Sequence, residues 1–275
     1  MIPAVSERTV DLAGLPTRVG ADDRHRAFWD LVDQGRWEPC TFEAIDQLAD
    51  GGVYIDVGAW IGPTVLAAAR RAETVIAYEP DPLAVADLRH NVECNGITNV
   101  EIREVALFDR NTELAFGPGM LDELGLSVSS LVYGSRSVTV KARDARQEAA
   151  SNLFRQCSLL KIHVEGAEYR LVRRLAPYLR KHRPALLLSL HGVHWRTRAF
   201  PHLPPAMADR YRRLRSVIER RSLMRRLRSY PYVYIGAGRA WRQLSGSDRQ
   251  AIVADLAEHE LLFTVDPYPV RRVER

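Results

Sequence analysis

The 275-residue chain has only three cysteines, Cys40, Cys94 and Cys157. They are odd in number and far apart, so neither a disulfide framework nor a CxxC metal site is expected. No run reaches the ~18 uninterrupted apolar residues that a membrane span needs. The opening MIPAVSERTVDLAG also lacks the charged-then-apolar layout of a secretion signal. These absences lead to the expectation of a soluble, cytoplasmic protein. Lysine is nearly missing: Lys141, Lys161 and Lys181 are the only ones, and arginine makes up the rest of the 39 basic residues. The net charge of +5 is local, because residues 209–228 (DRYRRLRSVIERRSLMRRLR) hold nine arginines against Asp209 and Glu219. Leu214, Val217, Ile218, Leu223 and Leu227 recur there at helical spacing, which predicts one packed stripe and a solvated arginine face. Tyr211 is the one aromatic among those arginines, too little interleaving to make nucleic acid an expected partner.

The chain is 46% hydrophobic and 27% charged, which suits one α/β domain with an appendage. Helical signals over 22–48 predict that residues 1–50 form a helical segment packed on a catalytic domain of residues 51–275. Strands are expected at 53–57, 74–79, 100–106, 138–141, 158–164 and 185–191, with helices between most of them and an irregular stretch at 111–135. That alternation predicts a mainly parallel sheet with helices on both faces. Two further strand candidates, 230–236 and 261–265, flank a helix near 248–258, and at least one is expected to be antiparallel at the sheet edge.

The stretch VYIDVGAWIGPT (53–64) ends a strand on Asp56 and then places Gly58 and Gly62 in a turn around Ala59 and Trp60. A dinucleotide site wants GxGxxG, and the close glycine pair is missing here. A carboxylate beside a pyrophosphate would also repel it. A positively charged ligand without phosphates removes that conflict, and S-adenosylmethionine is one, with a sulfonium, an ammonium and a ribose diol. Glu79, followed by Pro80, ends the second strand 23 residues later, about where an acid accepts ribose hydroxyls.

The runs YIDVGAWIGPT, AYEPDPLAVADLRHNVECN and KIHVEGAEYRLV, the last followed by LLLSLHG, closely resemble the FkbM family of S-adenosylmethionine-dependent methyltransferases. The resemblance covers about residues 35–195, including the approach segment RWEPCTF. It implies a Rossmann-like class I methyltransferase sheet and methyl transfer, mostly to oxygen, on a small-molecule acceptor such as a glycosylated or polyketide compound. Ala106 and Leu107 stand where the family would contact adenine. The family's usual KIDVEGAE carries aspartate where this chain has His163.

Methyl transfer to a hydroxyl needs an aligned acceptor, exclusion of water and removal of a proton. His163, Glu165 and His191 at strand ends are therefore the catalytic candidates. They also offer three metal ligands, but spacing across separate strands gives no expectation of a metal. Trp60, Ser127, Ser129, Ser130, Lys161 and His194 are candidates for substrate contact, and Lys161 is alternatively a partner for a buried acid. The exchange at residue 163 keeps open a non-catalytic binding or assembly protein on the same fold. The basic helix keeps open an RNA methyltransferase.

Overall fold

The computed structural model describes residues 6–21, 23–116, 138–164, 166–191, 204–255 and 257–269. Elements are numbered in chain order. The first fifty residues are not purely helical: β1 (Glu7–Leu12) and β2 (Leu15–Gly20) form an antiparallel hairpin ahead of α1 (Arg26–Asp33) and α2 (Pro39–Leu48). Alternation explains it, since Val10, Leu12, Thr17 and Val19 are buried. The two-residue turn has Ala13 and Gly14 both at positive φ (55° and 85°). The Asp11 carboxylate accepts the Gly14 N–H at 2.6 Å and fixes that turn.

The main sheet has eight strands. Its parallel part runs β10 (Ala185–Leu190), β9 (Cys157–Ile162), β3 (Val53–Val57), β4 (Thr74–Tyr78), β5 (Val100–Arg103). Beyond β10 lie β13 (His259–Thr264), β11 (Tyr232–Ala237) and β12 (Ala240–Gln243), each antiparallel to its neighbour. The expected antiparallel edge is therefore present. Successive residues of β3 feed separate cores, Tyr54 on one face and Val53, Ile55 and Val57 on the other. Both faces are covered, as a parallel sheet requires. On the chain's way along the sheet, α3 (Pro63–Ala68) follows β3 and α4 (Pro82–Cys94) follows β4, with α7 (Glu168–His182) after β9.

Two expected strands sit elsewhere. Residues 100–106 do not form one strand, because the Val105 N–H bonds back to the Arg103 carbonyl (2.8 Å) and the chain turns out of the main sheet. It continues as β6 (Ala106–Phe108), which joins β7 (Thr112–Phe116) and β8 (Val138–Asp144) in a small sheet of order β6-β8-β7. Between β8 and β9 the chain forms two short turns, α5 (Ala145–Glu148) and α6 (Asn152–Arg155), each capped by a side-chain oxygen, of Asp144 and Ser151.

The basic segment forms α8 (Pro205–Arg226), but its packed stripe differs from the expected one. Leu223 and Leu227 are buried, while Leu214 and Ile218 are exposed. The stripe instead runs through Ser216 and Arg220, and Arg220 has no exposed surface. Its guanidinium donates to the carbonyls of Ile252 (3.2 Å), Asp255 and Ala257 (2.7 Å), at and beyond the end of α9 (Gly246–Ala254). A cation there meets the negative end of the helix dipole as well as otherwise unpaired carbonyls. Arg220→Gln should therefore lower the unfolding free energy by about 2–4 kcal/mol. Exposed Arg213→Gln and Arg221→Gln should stay within about 0.5 kcal/mol of the parent. A parental urea midpoint for Arg220→Gln would contradict this role.

Candidate functional site

The carboxyl end of β3 is the sheet's switch point: the chain leaves it toward β4 on one side and later returns to β9 on the other. The turn that follows is held by its own backbone. The N–H groups of Gly58 and Ala59 both bond the Tyr78 carbonyl (2.9 and 3.1 Å), and that of Gly62 bonds the Ala59 carbonyl (2.9 Å). The Trp60 N–H donates to Glu79 Oε2 at 2.7 Å. Four N–H groups of the turn are thus spent inside the protein, so it offers no cradle for a phosphate. The glycines also serve packing rather than ligand approach. A Cβ on Gly58 would fall 1.9 Å from the His163 carbonyl oxygen, and one on Gly62 would fall 2.3 Å from Leu88. Both have positive φ, 87° and 92°.

Asp56, expected to face the cofactor, is fully buried and committed elsewhere. Its Oδ1 accepts Lys161 Nζ at 3.0 Å, while Oδ2 accepts the hydroxyls of Thr64 (2.5 Å) and Tyr54 (3.1 Å). Lys161 is correspondingly buried and also reaches the Gly58 carbonyl at 3.5 Å. Lys161 is the partner of a buried acid. Asp56 therefore does not repel a phosphate as its sequence position suggests, because Lys161 pairs with its charge within the core.

Glu79 is different. It is buried, with Oε2 on the Trp60 N–H and Oε1 on the Asp81 N–H (2.9 Å). Burial pushes its carboxyl up to about 7, opposed by those two backbone bonds. Each oxygen still has acceptor capacity. Asp81 caps α4 through the N–H groups of Leu83 and Ala84, as the sequence indicates, and Pro80 lies half-buried between the two acids. Ala59 is buried under the turn. Ala106 is half-buried and Leu107 buried, both in the small sheet rather than in the main one.

His163 follows β9, and its N–H bonds the Val57 carbonyl at 2.9 Å. Its Nδ1 lies 3.0 Å from Ser189 Oγ and 3.4 Å from Glu38 Oε1. His191 is brought beside it, with ring centroids 4.9 Å apart. The buried Glu168 carboxylate accepts the N–H groups of Gly166 (2.7 Å) and His191 (2.8 Å), tying the start of α7 to the end of β10. Trp60 packs edge-on against Phe28 (4.5 Å) and His25 (5.3 Å), so its ring belongs to the interface with the N-terminal segment. Glu165, Ser127, Ser129, Ser130 and His194 lie outside the described residues.

Two acids were missed in the sequence. Glu38 precedes α2 with a left-handed backbone (φ 38°), and its carboxylate is largely buried against His163. Glu260 on β13 lies beside it, and its carboxyl is pushed up to about 8 by burial and then by Glu38. The WEP run containing Glu38 was legible only as part of an approach segment. Nothing local marks Glu260.

The sequence matches the Methyltransferase FkbM domain family over residues 56–227, well over half of the chain. The chain belongs to the FkbM methyltransferase family. A comparison with curated proteins gave no match. Among solved structures, the chain is similar to the FkbM methyltransferase of Methylobacillus flagellatus KT (15% identity, TM-score 0.43), covering 88% of this chain and 55% of that one. It thus spans about half the length of that protein. It is also similar to M. jannaschii TYW2 in complex with AdoMet (11% identity, TM-score 0.44, 96% and 87% covered). A third is an rRNA methylase from Streptococcus thermophilus (7% identity, TM-score 0.42, 82% and 95% covered).

S-adenosylmethionine is the cofactor that membership of this methyltransferase family implies. The residues present fit it. A turn with its N–H groups already used suits a ligand without phosphates, and the buried Glu79 carboxylate suits one that presents hydroxyl donors. Among the described residues no helix is long and apolar enough to cross a membrane.

Proposed function

We propose that this FkbM methyltransferase methylates a hydroxyl oxygen of a small molecule, either sugar-containing or of polyketide type. The acceptor class rests on the motif resemblance. The oxygen chemistry rests on one observation, the imidazole of His163 held at the carboxyl end of β9 beside the glycine turn. Ser189 Oγ and Glu38 Oε1 both approach Nδ1, which favours a proton on that nitrogen and leaves the basic lone pair on Nε2. The same Glu38 carboxylate stabilises the imidazolium once Nε2 has taken a proton.

S-adenosylmethionine supplies an electrophilic methyl group on a sulfonium. The chain's own residues do the rest. Glu79 would receive the ribose hydroxyls on the acceptor capacity its backbone bonds leave over. The turn and the packed Trp60 close one wall against water. His163 would withdraw the acceptor's hydroxyl proton as the oxygen takes the methyl carbon and the carbon–sulfur electron pair stays on the sulfur, leaving a neutral ether, a thioether and an imidazolium that later loses its proton to solvent.

Radiolabelled S-adenosylmethionine offered with a panel of glycosides and polyketide alcohols tests the reaction, with label expected on an oxygen. Label found only on RNA would overturn it. His163→Ala should lower kcat by ~10²–10⁴-fold with cofactor affinity unchanged by calorimetry. Glu38→Gln should lower kcat by about tenfold, also at unchanged cofactor affinity. A His163→Ala protein that turns over at the parental rate would remove the base.

Glu79 sets a separate pH dependence. Ribose hydroxyls prefer the ionised carboxylate, whereas burial keeps it protonated below about 7 in the free protein. Cofactor binding must then release a proton at low pH, so the dissociation constant should rise up to tenfold per unit as pH falls below about 7. It should level off above about 8, and Glu79→Gln should bind more weakly with a flat profile. A flat profile in the parent protein would contradict the assignment.

A further inference from the structure

Away from this rim, the contact between the N-terminal hairpin and α4 brings together three kinds of metal ligand. A carboxylate oxygen of Glu7, a ring nitrogen of His90 and the Cys94 thiol all lie within 4.8 Å of one another. His90 and Cys94 are four residues apart on α4 and share a face, while Glu7 reaches over from β1. A second observation points to a ligand: Nε2 of His90 is buried and has no hydrogen-bond partner among the described residues. Such an atom carries an uncompensated desolvation cost that a coordinate bond would remove. The Cys94 thiol makes long contacts to the carbonyls of Arg18 (3.4 Å) and Asn91 (3.5 Å).

We propose that Glu7, His90 and Cys94 form a zinc site that staples the N-terminal hairpin to α4. An imidazole nitrogen, a thiolate and a carboxylate suit Zn²⁺, which takes four ligands tetrahedrally at ~2.0–2.3 Å. Around such an ion the ligand atoms stand ~3.5 Å apart, so side-chain rotations of about one ångström close the cluster. Water takes the fourth position. On binding, the thiol proton passes to solvent and the sulfur pair goes to the metal.

Burial, reinforced by Glu7, raises the Cys94 thiol above its ordinary value, so the sulfur is protonated until a cation arrives. The charged groups around it are Glu7 and Arg18 on the hairpin and Glu93 on α4. Arg18 competes for the site, since its guanidinium pairs with Glu7 at 3.4 Å. The hairpin is already attached to α4 by the Gly20 N–H on Asn91 (2.9 Å) and the Arg18 N–H on Asn95 (3.0 Å). Zinc would add a link to the outer strand, which makes none of these bonds.

The test uses untagged full-length protein, zinc in equilibrium dialysis and cobalt as a spectroscopic probe. One equivalent of zinc should bind, and the thermal midpoint should rise on its addition and fall back in EDTA. Cobalt should give an intense near-ultraviolet thiolate-to-metal band. Cys94→Ser should abolish that band, and Cys94→Ser and His90→Gln should each weaken zinc binding at least tenfold. Arg18→Gln should tighten it by releasing Glu7. Glu7→Gln, on the exposed strand, guards against misfolding: its midpoint in EDTA should match the parent's while the zinc-induced rise shrinks. No saturable zinc binding, or binding unchanged in Cys94→Ser and His90→Gln, would overturn the proposal, as would a full zinc-induced rise in Glu7→Gln.

Discussion

The architecture turns on one buried charge pair, Asp56 with Lys161. The two residues stand directly opposite each other in the β3–β9 register, across the seam where strand order reverses. Burying both charges is costly, and a pair of this kind is tolerated only when its remaining hydrogen-bonding capacity is met. Here Tyr54 and Thr64 occupy the second carboxylate oxygen, and the Gly58 carbonyl lies within reach of the ammonium. Thr64 belongs to α3 and Gly58 to the turn, so strand, turn, helix and neighbouring strand all converge on the same pair. The turn's fixed course then places the Trp60 N–H on Glu79, and the seam places the His163 backbone on Val57.

The rim above that pair is assembled from distant parts of the chain. β4 leads into Glu79 and β9 leads into His163. The loop before α2 brings Glu38, and the antiparallel β13 brings Glu260. Two neighbouring carboxylates would repel each other in this setting. Burial and the nearby Glu38 push the Glu260 carboxyl up, while Glu38 Oε1 stands 3.4 Å from the His163 imidazole. The family's usual aspartate is absent at residue 163, yet a carboxylate still stands at this point of the rim.

Local signals carried much of this. The apolar runs at 53–57, 74–78 and 185–190 are readable as strands buried on both faces, and Asp81-Pro82 announces the start of α4 by cap chemistry that needs no tertiary context. The placement of Glu79 beside the turn was legible from its spacing to Asp56. The role of Asp56 was not, because its partner lies 105 residues away and lysine two places before His163 looks the same whether it binds substrate or acid. Arg220 was hidden for a like reason: within a run of arginines nothing distinguishes the one that caps α9. The hairpin at 7–20 did leave a trace, an alternation around Ala13-Gly14, which the stronger helical pattern of 22–48 overshadowed.

A crystal structure with S-adenosylhomocysteine would test the central claim most directly, since the product retains the ribose and amino acid of the cofactor. The account predicts ribose hydroxyls within hydrogen-bond distance of Glu79, and Asp56 still paired with Lys161 beneath the turn with no ligand contact. A structure in which Asp56 leaves Lys161 to bind the ligand, with Glu79 untouched, would contradict it.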